Sequence, residues 1–116
     1  MSNWREEWES HADAEAERYD ATSVSVLVDE ISRGRFGEYH TIWYSLARRA
    51  APAEAAKVLL GVLESDRPYL DRYHCAAALL QILGCSEFRP EALSADRFPL
   101  TQNLARVRSL VEGQTR

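Results

Sequence analysis

Between Cys75 and Leu80 the chain carries six residues in a row without a charged side chain or hydroxyl, three of them alanine. Alanine is the strongest helix former and is depleted in strands, so this stretch is predicted to be helical. A helix that is apolar all round has no side to show to water. It has to stand in the middle, with other helices packed around it, and the rest of the chain has to supply them.

Prolines and glycines mark out those other helices. Pro52, Pro68, Pro90 and Pro99 each stand just before or at the start of an apolar-periodic segment, where the missing N–H costs nothing. Gly34, Gly37, Gly84 and Gly113 each follow such a segment, where a left-handed closing residue is favoured. Gly61 alone falls inside a helical pattern, which predicts close approach of a neighbouring helix there. Between these marks the apolar period is 3.6, and no alternating strand-like run occurs. The predicted helices are 3–19, 23–33 with Ser23 as cap, 38–50, 52–65 and 67–83, followed by a short turn near 90–94 and a last helix near 101–112. Links of a few residues make neighbouring helices run antiparallel as hairpins. The expectation is one all-α domain spanning 1–116, made of an acidic N-terminal helix (1–20), core hairpins (21–84) and a C-terminal turn plus helix (85–116).

A chain of 116 residues can bury one core without disulfide staples. Two cysteines, Cys75 and Cys85, are too few for a disulfide framework, and their spacing is not that of a metal knuckle. No apolar run approaches the roughly 20 residues that cross a bilayer. The opening Met1-Ser2-Asn3-Trp4-Arg5-Glu6-Glu7 lacks the basic start and apolar stretch of a signal peptide, so the expected address is cytoplasmic. The formal net charge is −4 and is unevenly spread: residues 1–20 hold seven acids against Arg5 and Arg18, whereas residues 67–116 hold seven arginines against five acids. Phosphates would repel the first segment, which argues against a nucleic-acid arm. Thirteen arginines against the single Lys57 fit a G+C-rich coding sequence and, with it, a bacterial source.

Shifting the sequence on itself by 33 or 34 residues places Leu46 on Leu79, Ile42 on Cys75, and Tyr39-His40 on Tyr73-His74. The run Arg72-Tyr73-His74-Cys75-Ala76-Ala77-Ala78-Leu79-Leu80-Gln81-Ile82 resembles the first helix of a HEAT repeat, in which small residues let helices approach and aliphatics fill the space between layers. Asp71 stands where that pattern has an aliphatic, and Leu80 where it has glycine. The resemblance covers about residues 36–84 and implies helical hairpins stacked as an α-α superhelix. An irregular helical bundle of the same helices is the alternative.

Three sets of residues are candidates for function. His40 and His74 fall at equivalent places of successive hairpins, with Glu38, Asp71 and Cys75 within a turn of them. Imidazoles and carboxylates converging from adjacent helices are a means of holding iron or zinc. Some HEAT-like hydroxylases use paired His-Glu dipeptides for this, and none occurs here. The plainer reading is that each histidine is half-buried beside an acid, Asp71 serving His74 three residues away. The second set is the arginines. Arg33 and Arg35 end one helix and Arg48 and Arg49 the next, at opposite ends of a hairpin, so they read as cations at helix C-termini and not as one nucleic-acid patch. The third set lies on the first helix, where Trp4, Trp8, Ala12, Ala16 and Tyr19 form a narrow stripe among acids. Either the stripe caps the first hairpin, or Trp4, Trp8, Glu7 and Tyr19 dock on a partner.

No phosphate loop, nucleophile elbow or Ser/His/Asp order is present, and no cofactor is implied. The expected function is a non-enzymatic interaction module of a bacterium. It would be an inhibitor, immunity-type protein or adaptor, whose partner is another protein of basic charge or a second copy of the chain. The alternative is a helical metal-dependent or nucleic-acid-processing enzyme using His40, His74 and nearby acids.

Overall fold

A computed structural model of the chain describes residues 4–115. Its elements are α1 (Trp4–Asp20), α2 (Val24–Ser32), α3 (Thr41–Arg49), α4 (Pro52–Leu63), α5 (Tyr69–Leu83), a 3-10 turn (Pro90–Leu93) and α6 (Leu100–Gln114). Among the described residues there is no strand, and no helix is long and apolar enough to cross a membrane.

The all-apolar stretch takes the central place. Cys75, Ala76, Ala78, Leu79, Leu80 and Leu83 of α5 are buried between α4, α3 and the 3-10 turn, and Ala55, Ala56, Leu59, Leu60, Val62 and Leu63 of α4 are buried as well. Ala56 and Ala76 expose nothing, and side chains this small bring the two helices close. The Cys75 Sγ–H donates to the Leu59 carbonyl oxygen across the seam at 3.1 Å. α2 packs on α4, α3 packs on α5, and α6 covers α4. Leu27 and Ile31 come from α2, Ile42, Trp43 and Leu46 from α3, and Val107 and Val111 from α6; together they fill one continuous core.

Local chemistry sets the ends. Ser23 caps α2, accepting from the Val26 N–H at 3.4 Å. Pro52 opens α4, where the Ala51 N–H donates to the Glu54 carboxylate at 2.8 Å. Gly84 closes α5 with φ +63°, a conformation that suits glycine.

Three expectations are corrected. Gly113 lies within α6 and does not follow it. At Gly61 no neighbour stands within 4 Å of where a Cβ would be, so no helix approaches there. The third helix begins at Thr41, not at residue 38, because His40 adopts a left-handed backbone (φ 59°) that a helix cannot include. Residues 33–40 consequently form a longer link than the predicted hairpin turn. The predicted first-helix residue Asn3 lies outside the described residues.

Candidate functional site: an aromatic face on α1, α3 and α5

The reason α3 starts late is a carboxylate on another helix. Glu15, 6% exposed, points from α1 into the turn before α3. Its Oε2 accepts from the Glu38 N–H at 2.9 Å, and its oxygens accept from the Tyr39 N–H at 3.3 Å. Its Oε1 accepts from the Thr41 N–H at 3.3 Å and from the Thr41 hydroxyl at 2.6 Å. A negative charge at a helix N-terminus meets unpaired amides and the positive end of the macrodipole, so the arrangement is stable in both respects. Gly37 makes room for it: a Cβ at that position would stand 2.8 Å from the Glu15 carboxylate.

A second polar tie fastens the other end of α1. The Ser45 hydroxyl and the Arg48 guanidinium both donate to Asp20 Oδ1 at 2.6 Å, and Ser45, then Arg48, hold the Asp20 carboxyl below its usual range. Arg49 donates to the Tyr19 and Thr22 carbonyl oxygens at 2.8 Å, tying down the chain where it leaves α1. With Glu15 at the start of α3 and Asp20 at its end, α1 runs alongside α3 in the same direction. Arg48 and Arg49 therefore serve α1 as well as their own helix.

α1 lies over α3 through the later part of its stripe, Ala12 and Tyr19, and leaves the two tryptophans largely outside. Ala12 and Glu15 are the buried residues of α1, and Tyr19 is half-buried against the core. Trp4 is 70% exposed and Trp8 52% exposed. Of the four predicted docking residues, Trp4, Trp8 and Glu7 face water, and Glu7 makes no ion pair among the described residues. Tyr19 instead supports the fold.

Trp8 begins a run of aromatic rings that crosses three elements. It meets Tyr39 edge-on at 5.6 Å, and Tyr39 precedes His40 in the chain. The His40 and His74 rings stack at 4.4 Å and 18°. His74 is flanked edge-on by Tyr44 at 5.6 Å and Tyr73 at 5.3 Å, and Tyr73 lies 6.0 Å from Tyr69. Leu70, one turn before His74 on the same side of α5, is 57% exposed. Among the described residues, five of the six large apolar side chains most open to solvent, namely Trp4, Trp8, Tyr44, Tyr69 and Leu70, belong to these three helices. The sixth, Val26, is on α2.

The histidine pair sits as the repeat offset suggests, but its partners differ from those expected. His74 Nδ1 is hydrogen-bonded to the Tyr44 hydroxyl at 2.6 Å, not to Asp71. Asp71 lies 4.0 Å from His40 Nδ1, which also accepts from the indole N–H of Trp43 at 3.4 Å. Stacked rings hold their in-plane lone pairs in nearly parallel planes, whereas a shared metal needs them to converge on one point. Among the described residues no three of His, Cys, Asp and Glu are grouped as metal ligands would be. Cys75 is sealed and hydrogen-bonded, and burial pushes its thiol well above the usual range. Cys85 is half-buried at the end of α5.

Four further arginines are paired with acids, while Arg18, Arg67 and Arg97 lie over the rings of Tyr19, Phe36 and Phe98. Arg33 meets Asp29 at 2.9 Å, Arg35 meets Glu30 at 3.5 Å, Arg106 meets Glu87 at 3.3 Å, and Arg108 forms an ion pair with Glu64. Compared with protein-family models, curated proteins and solved structures, the chain matches none of them.

Proposed function

We propose that the chain is a non-enzymatic protein–protein interaction module, an inhibitor, immunity-type protein or adaptor of a bacterium acting in the cytoplasm. It binds a basic protein through the aromatic face of α1, α3 and α5. The carrying observation is the run of rings from Trp8 on Tyr39 to His40, His74, Tyr44, Tyr73 and Tyr69, with Trp4 and Leu70 exposed on the same helices. Trp and Tyr dominate the energetics of protein interfaces because they bury much area with few torsions to freeze. Around them α1 turns Glu6, Glu7, Glu9 and Asp13 to solvent, a rim that steers and selects a basic partner. The contacts of α2 with α4 and of α3 with α5 are those that stacked hairpins make, and they support a HEAT-like arrangement as the scaffold.

The test is affinity capture from the source cell with two baits, the wild-type chain and Trp8→Ala/Tyr44→Ala/Leu70→Ala. The expected result is one basic protein held stoichiometrically by the first, released by salt, and lost from the second. Retention of the same protein by both baits, or of none by either, overturns the reading.

A further inference from the structure

We infer that the stacked His40–His74 pair is a proton-sensitive clasp, which holds the start of α3 against α5 when neutral and loosens the aromatic face on acidification. This deepens the proposal above by adding regulation to the same surface.

One nitrogen of His40 is engaged by a buried donor. An indole N–H is a donor only, and Trp43 is wholly buried, so its 3.4 Å bond needs a lone pair on His40 Nδ1. The ring proton then sits on Nε2. A proton added to Nδ1 sets N–H against N–H and leaves the buried indole without an acceptor. His74 has no such restriction, since the Tyr44 hydroxyl can donate to Nδ1 or accept from it. A charge on His74, however, is stacked 4.4 Å from the other ring. Two imidazolium rings at that distance repel.

His40 is also the only non-glycine residue with positive φ among the described residues. Its position is imposed by its surroundings, and histidine is among the residues that tolerate it. The groups facing the pair are His40 and Tyr44 from α3 and its cap, with Asp71 and Tyr73 from α5 itself. From α1, Glu15 and His11 stand against Tyr39, one residue away. On the α4 side of α5 the neighbouring group is the Cys75 thiol, bonded to Leu59.

Burial first, and His40 second, hold the His74 imidazole below its ordinary value of 6.5, while Asp71 acts in the opposite direction. The unfolded chain therefore takes up the proton more readily than the folded one. Stabilisation is complete above the ordinary imidazole value and is lost as pH falls from there towards the depressed one.

The test follows the imidazole resonances of the free chain by NMR, together with its thermal midpoint, from about pH 8 to about pH 5. Expected are a His74 that titrates at lower pH when folded than in urea, a midpoint that falls across the range, and a flatter profile for His40→Asn/His74→Gln. Asparagine at position 40 tolerates the left-handed backbone. A folded His74 titrating as in urea, or an unchanged slope in the variant, overturns the clasp. If the variant does not fold, the wild-type titration decides alone. Titration uses the chain without its partner, so a failed clasp and a failed docking surface give different results.

Discussion

The α4–α5 seam and the α1–α3 seam join helices by opposite means. Between α4 and α5 the joining groups are alanines and leucines with almost no exposure, and one thiol bond. Between α1 and α3 they are one buried carboxylate, one aspartate and two arginines, while the largest apolar side chains of α1 stay in water. Area holds the first seam, and its strength is spread over many atoms. Directed bonds hold the second, so its strength is concentrated in a few groups. α1 can keep Trp4 exposed, and Trp8 in contact only with the edge of Tyr39, because its attachment is made mainly by these polar groups.

Substitutions break the two seams differently. The largest effect is expected from Leu79→Ala, which empties a fully buried site and costs about 3 kcal/mol of global stability by chemical denaturation. Glu15→Ala leaves the amides of Glu38, Tyr39 and Thr41 without their acceptor and costs about 2 kcal/mol. Its signature is local: brief proteolysis should cut within α1 while the core stays intact. Loss of both regions together would show that the seams are one cooperative unit. Gly61→Ala, on open space in mid-α4, should raise stability by about 0.5–1 kcal/mol. Trp4→Ala should change stability by less than about 0.5 kcal/mol, and a larger loss would mean that the exposed face holds the fold.

The core seam was legible in the sequence, because Cys75 to Leu80 leaves no polar side for solvent and the surrounding segments each carry one apolar stripe. Pro52, Ser23 and Gly84 marked helix ends by backbone chemistry alone, and each acts as its type predicts. The α1–α3 seam was not legible, since a glutamate on an acidic helix reads as solvated. One signal was available: Glu15 falls between Trp4 and Trp8 on the helical wheel, inside the stripe and not outside it. Reading it there would also have moved the start of α3, as a buried carboxylate needs several donors and the turn before Thr41 supplies them. The stacking of His40 on His74 followed from the repeat offset, whereas their hydrogen bonds to Trp43 and Tyr44 depend on ring orientations that no spacing encodes.

The two thiols differ in a way that makes the chain report on itself. Cys75, sealed under α4 and reluctant to ionise, reacts with an alkylating reagent only when the whole core opens, whereas half-buried Cys85 is reached by smaller fluctuations. The ratio of the two labelling rates, read by mass spectrometry in native buffer, separates global unfolding from local breathing without any added probe.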